Sequence, residues 1–147
     1  MSAKRKSWKR TDTSSTSPPD RPPLFIDRNA WSRRLGAALG DAGVAFVAHH
    51  QQFSSESPDE DWIAAASRNN WIAITRDQNI RRKPNELAAI RGSRAIIFVF
   101  TSGNLSAEST ARILVAALPR IFQLALDTPR PALYSIHLDS RIVKLAF

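Results

Sequence analysis

The sequence of 147 residues contains no cysteine. That excludes a disulfide framework and any cysteine-based zinc site, and it fits a reducing, cytoplasmic setting. No uninterrupted apolar run approaches the roughly 18 residues that mark a membrane helix, so no membrane partner is expected. The N-terminal stretch is basic but lacks the apolar h-region and small-residue cleavage site of a secretory signal. No internal repeat is visible. Acids are also scarce: 13 Asp and Glu stand against 21 Lys and Arg, a net charge of +8 and a pI of about 11.0. Such a balance suits a polyanionic partner, most simply nucleic acid.

Part of that charge lies outside the apolar region. Residues 1–22 carry Lys4, Arg5, Lys6, Lys9, Arg10 and Arg21 against Asp12 and Asp20, a net +4. This segment is rich in Ser, Thr, Pro and charge, and it buries too little apolar surface to offset chain entropy. It is expected to be a disordered basic tail. Residues 23–147 are expected to form one folded domain, with enough hydrophobic residues (43%, including four Trp and seven Phe) for a sizeable core.

Along that domain, short apolar runs alternate with amphipathic stretches. Strands are expected at Leu24–Ile26, Val44–Ala48, Trp71–Ile74 and Ala95–Phe100, with a final strand or hairpin from Tyr134 to Leu145. Helices are expected at about Ala30–Asp41, Glu60–Asn69, Asn85–Ile90 and Ser106–Leu126. Ser57 or Asp59 is the expected cap of the second helix, Gly43 the stop of the first, and Pro119 a point where the last could kink or divide. His49–Phe53 reads as a loop. Its two adjacent histidines have no third ligand at a helical offset, so they make a poor metal site. The fold class that follows is α/β: a three-layer α/β/α sandwich with a mostly parallel central sheet and a C-terminal antiparallel strand or hairpin.

In such a sheet the strand C-termini share one edge, where ligands bind. Asp27 ends the first strand, and Thr75–Arg76–Asp77 ends the third. Asp59, Glu60 and Asp61 open the helix after the second, and Thr101–Ser102–Gly103–Asn104 follows the fourth. Carboxylates gathered at one place repel one another, and a hard divalent cation relieves the repulsion. Mg²⁺ or Mn²⁺ prefers oxygen donors and leaves positions for water and phosphate. Such an ion activates water and neutralises charge on a phosphodiester as it is cleaved. Arg28, Arg76, Arg81, Arg82 and Lys83 flank the acids, as a phosphodiester substrate requires. The acids at Asp59–Asp61 also have an ordinary structural reason, since a helix N-terminus favours negative charge.

The segments Phe25-Ile26-Asp27-Arg28-Asn29, Ser57-Pro58-Asp59-Glu60-Asp61-Trp62-Ile63, Ile74-Thr75-Arg76-Asp77, Ile80-Arg81-Arg82-Lys83-Pro84 and Thr101-Ser102-Gly103-Asn104-Leu105 occur in this order. Together they resemble the PIN-like domain family, and within it the VapC-type toxin branch, over residues 24 to about 126. The resemblance implies a PIN fold and a Mg²⁺- or Mn²⁺-dependent endoribonuclease acting on RNA. It also implies a toxin neutralised by a cognate antitoxin protein, and a homodimer. By matching position it makes Asp27, Asp59 and Asp77 the catalytic metal ligands, with Glu60 or Asp61 as neighbouring candidates. The family usually carries a further acid after the fourth strand. Here Ser102 and Asn104 stand there instead, so Asn104 would supply a neutral oxygen or the centre is leaner. Two other readings share the pattern: a receiver-like phosphoacceptor domain, and a nucleic-acid-binding module with an inactive centre. Against the receiver, Arg28 stands where a second acid would follow the first strand, and no lysine ends a clear fifth strand.

Overall fold

In the computed structural model, residues 21–147 are described. The expected disorder of residues 1–22 therefore falls, apart from Arg21 and Pro22, outside the described residues. Among the described residues, six strands form one sheet: β1 (Leu24–Ile26), β2 (Phe46–Ala48), β3 (Ile72–Thr75), β4 (Ile96–Phe100), β5 (Ala132–Ile136) and β6 (Ile142–Lys144). Their order is β2-β1-β3-β4-β5-β6. The first five are parallel, and β6 closes the edge antiparallel to β5. The helices are α1 (Arg33–Asp41), α2 (His49–Gln52), α3 (Asp59–Asn69), α4 (Pro84–Arg91) and α5 (Ala107–Asp127).

The strands read as continuous apolar runs because both faces of the sheet are covered. With a side-chain period of two, alternate residues go to opposite cores. Leu24, Ile26, Ile72, Ile74, Ile96 and Phe98 join Leu35 and Leu39 of α1 and Leu114 and Ile121 of α5. Phe25, Ala73, Ile97 and Val99 join Trp62 and Ile63 of α3 and Ile90 of α4. This is the expected three-layer sandwich. Leu114, Leu118 and Ile121 are all buried within this one core. Among the described residues, α5 alone is long and apolar enough to cross a membrane, but in this fold its apolar stripe is a core-packing face.

Several boundaries differ from the sequence expectation, each for a local reason. The segment 49–53 is not simply a loop. Gln51 Oε1 accepts from the Ala48 backbone N–H at 2.9 Å, and the chain makes one helical turn, α2. His49 is buried there between Phe25 and Phe53, with ring centroids 6.1 and 5.4 Å away. Burial lowers its pKa, so it is a neutral core imidazole. The first helix starts later than expected, at Arg33. Ala30 and Trp31 donate instead to the Asp27 carbonyl, and Ser32 caps through its Oγ, which accepts from Leu35 N–H at 3.0 Å. Gly43 then sits at φ +72°, a left-handed turn that glycine adopts without penalty. The second long helix begins at Asp59 after Pro58, with no side-chain cap from Ser57 or Asp59. Pro119 interrupts nothing: α5 is unbroken, and Pro119 is exposed on its outer side.

Phe25 anchors the α3 side. Its ring stacks on Trp62 at 5.4 Å and on Trp71 at 5.6 Å, and it meets Phe53 edge-on at 6.0 Å. It lies two residues before Asp27, so the aromatic column fixes the strand that carries the first acid. Phe25→Ala is expected to cost about 3–5 kcal/mol, measurable as a lowered urea midpoint with an unchanged m-value.

Candidate metal centre

The C-terminal edge of the sheet is laced before it is charged. Asp27 continues β1 by donating its N–H to the Ile74 carbonyl at 2.9 Å. Its carboxylate is only 1% exposed and is already engaged: Oδ2 accepts from Thr75 Oγ1 at 2.8 Å, and Oδ1 from Arg28 N–H at 2.8 Å. Burial raises the Asp27 pKa and the negative charge of Asp59 pushes it further, while the Thr75 hydroxyl bond opposes the rise. Thr75 Oγ1 also accepts from Asp77 N–H at 3.1 Å, and Asn29 Oδ1 accepts from Arg76 N–H at 2.9 Å. The β1 and β3 loops are thereby tied into one rim.

In front of this rim, three carboxylates meet. Asp59, in the first turn of α3, Asp77, just after β3, and Glu86, in the first turn of α4, each offer an oxygen within 4.8 Å of the others. All three are partly buried. Lys83 is the local counter-charge: its Nζ lies 2.8 Å from Asp77 Oδ2 and 3.8 Å from Glu86 Oε1. Glu86 Oε1 is buried and has no hydrogen-bond partner. Burial, joined by the charges of Asp59 and Asp77, pushes the Glu86 carboxyl up to about 7.

Glu86 escaped the sequence reading. The signal was present, because Glu86 opens the helix that follows the Asp77 strand, just as Asp59 opens the helix that follows β2. Glu60 is half-buried, Asp61 is exposed, and neither belongs to the three-carboxylate group. Asp27 is not one of these three residues, although the charge of Asp59 reaches its carboxylate. Asn104 is exposed in the loop after β4, where its N–H donates to Ser102 Oγ at 3.3 Å.

The five expected phosphate-binding cations are placed unequally. Arg28 lies 3.9 Å from Asp59 Oδ1 and donates to the Ser55 carbonyl. Arg76 is spent on the carbonyls of Asn29 and Gly103. Arg81 donates to the Ala146 carbonyl at 2.8 Å. Lys83 is inside the acidic group. Arg82 is exposed on the same loop. The loop itself is rigid: Asp77 Oδ1 accepts from Asn79 N–H at 3.0 Å, Arg82 N–H donates to Asn79 O at 2.8 Å, and Ile80 is buried beneath.

The donor set fits a hard divalent cation. All the donors are oxygens, they lie within 4.8 Å of one another, and the buried Glu86 Oε1 has no hydrogen bond there. Such a cation would be held by Asp59, Asp77 and Glu86.

A comparison with family models matches residues 22–102 to the PIN-like domain. No curated protein and no solved structure matches the chain.

The raised Glu86 pKa gives a signed expectation for the metal-free protein. A carboxyl raised on folding adds stability that is fully present below its unfolded pKa near 4.5 and lost as pH rises through about 7. In EDTA, the wild type should therefore lose up to about 3 kcal/mol relative to Glu86→Gln between pH 4.5 and 8. Urea titrations at stepped pH measure this, and Mn²⁺ should restore the wild type at pH 8 but not the variant.

Proposed function

Because the chain belongs to the PIN-like domain family, we propose that it is a metal-dependent endoribonuclease, the toxin of a type II toxin–antitoxin pair. The observation that carries the nuclease reading is the convergence of Asp59, Asp77 and Glu86 within 4.8 Å. The resemblance of its Thr101–Leu105 and Ile80–Pro84 segments to the VapC-type branch supports the toxin role and the choice of RNA.

When bound, a Mg²⁺ or Mn²⁺ ion supplies charge neutralisation at the phosphodiester and lowers the pKa of the attacking water. The protein does the positioning. Asp27 locks Thr75, and Thr75 in turn holds the Asp77 backbone, so the centre sits on a fixed rim. Lys83, hydrogen-bonded to Asp77 with its pKa raised by that contact, keeps a positive charge at the acids and offers a donor to a phosphate oxygen. Hydrolysis forms a bond from water oxygen to phosphorus and breaks one ester bond; the attacking water gives up a proton to solvent and the leaving oxygen takes one from it.

Glu86 also bears on the inactive-module reading. The acid that the family carries after its fourth strand is absent here, but α4 brings a third carboxylate to the same point. The receiver-like reading shares the strand order 2-1-3-4-5. Against it, Arg28 stands where a second acid would follow β1, and β5 runs into Ile136 and His137 with no lysine.

Purified protein is expected to cleave structured RNA, not the matching DNA, in Mn²⁺ or Mg²⁺ and to stop in EDTA. Asp77→Asn and Glu86→Gln should each lower kcat/KM by at least about 100-fold, a loss of roughly 3 kcal/mol in transition-state stabilisation. Expression of the wild type in a bacterial host should slow growth, and the Asp77→Asn variant should not. Binding of RNA without cleavage would sink the nuclease reading, and labelling of Asp77 by acetyl phosphate would support the receiver.

A further inference from the structure

We propose that a hollow of about 390 Å³ next to the acidic centre is a subsite for one nucleotide of the substrate, taking its base and its phosphate together. The identification of that nucleotide as part of a polynucleotide rests on the nuclease reading above.

Among the described residues, the hollow lies over the last strands of the sheet. On the α3/α4 face, Val99, Ser135 and Val143 are in register across β4, β5 and β6, and this row floors the hollow. Phe100 and Leu145 add apolar surface. Its polar wall comes from the loop that also carries Asp77 and Lys83, through Gln78, Arg81 and Arg82. No Asp or Glu lines it among the described residues. A site with a mostly apolar floor, Arg82 on its wall beside an Arg81 tied to the Ala146 carbonyl, and no carboxylate suits a flat aromatic ring bearing a phosphate.

The polar groups inside are pre-set. Arg141 Nη2 lies 3.4 Å from His137 Nδ1, His137 Nε2 lies 3.1 Å from Ser135 Oγ, and Ser135 Oγ donates to the Val143 carbonyl at 3.3 Å. This relay is satisfied when His137 carries its proton on Nε2, and it holds the imidazole as a fixed aromatic wall. Gln78 Nε2 donates to the Thr101 carbonyl at 2.7 Å, fixing the boundary between hollow and acidic centre. Gln78 follows Asp77 directly, so a chain that seats one nucleotide in the hollow presents its neighbouring phosphate toward the carboxylates.

The test separates this subsite from the metal chemistry. Isotope-labelled full-length protein in EDTA is titrated with the four ribonucleoside monophosphates and, separately, with inorganic phosphate. Saturable amide shifts at Gln78, Thr101, Ser135 and Val143 are expected, with at least one nucleotide binding about tenfold more tightly than phosphate. Val143→Trp, at a strand position 40% exposed, fills the hollow and should abolish those shifts while leaving the remaining spectrum intact. Arg82→Glu, at an exposed loop position, should weaken them by about tenfold. In Mn²⁺, Val143→Trp should lower kcat/KM on an oligoribonucleotide by about tenfold or more while keeping the Mn²⁺-induced rise in Tm. Absence of shifts with every nucleotide, equal response to inorganic phosphate, or wild-type cleavage by Val143→Trp would each overturn the subsite. Intact nucleotide shifts with no metal-dependent cleavage would leave the subsite standing and remove the nuclease reading instead.

Discussion

Three carboxylates held within 4.8 Å of one another repel, and much of this protein's architecture keeps them there. A pair of unit charges 4 Å apart interacts by about 4 kcal/mol even at an effective dielectric of 20. An assembly of this kind forms only where the backbone fixes the positions independently of the charges. Here the backbone anchors are β3 and the first turns of α3 and α4, each secured by its own core contacts: Ile74 in one core, Trp62, Ile63 and Ile90 in the other. The helix N-termini ease the cost, because the exposed N–H groups of a first turn favour negative charge. Lys83 offsets part of what remains. The unpartnered Glu86 oxygen is the residue of imbalance that a divalent cation would relieve.

Asp27 illustrates how similar residues acquire different roles. Both Asp27 and Asp77 follow a parallel strand, and from the sequence they look equivalent. Asp27 is enclosed, with both oxygens engaged by Thr75 and the Arg28 backbone. Asp77 faces the neighbouring helices and shares its carboxylate with Lys83 and the Asn79 amide. One organises the rim and the other stands in the group. The difference arises from where the two strands end relative to α3 and α4, which strand patterns alone do not encode.

The sheet also distributes its faces unevenly. Helices α1 and α5 share one face with a continuous core, whereas α3 and α4 leave the β5–β6 side of the other open. The loop after β3 lies at the junction of the covered and open parts. Its two ends serve the carboxylate group, and its middle, through Arg81 and Arg82, lines the hollow. Basic residues that look like one patch in the sequence are thus divided: some neutralise acids, some brace carbonyls, and Arg82 remains presented to solvent.

The sequence by itself determined the layering. Continuous apolar runs too uniform for a solvent face, separated by helical stripes, leave a mostly parallel sheet covered on both sides as the economical way to bury Leu24–Ile26, Ile72–Thr75 and Ile96–Phe100. It also placed Asp27, Asp59 and Asp77 at one edge, because strand C-termini in such a sheet share that edge. It did not reveal that Glu86 joins Asp59 and Asp77, or that both Asp27 oxygens are engaged by Thr75 and the Arg28 backbone. Nor did it reveal that Ser135, eight residues before Val143, aligns with it and with Val99 to floor a hollow. Those facts depend on helix packing and strand register, which are set by contacts between residues far apart in the chain. Local pattern fixes which face a side chain takes, and only the assembled fold decides what it meets there.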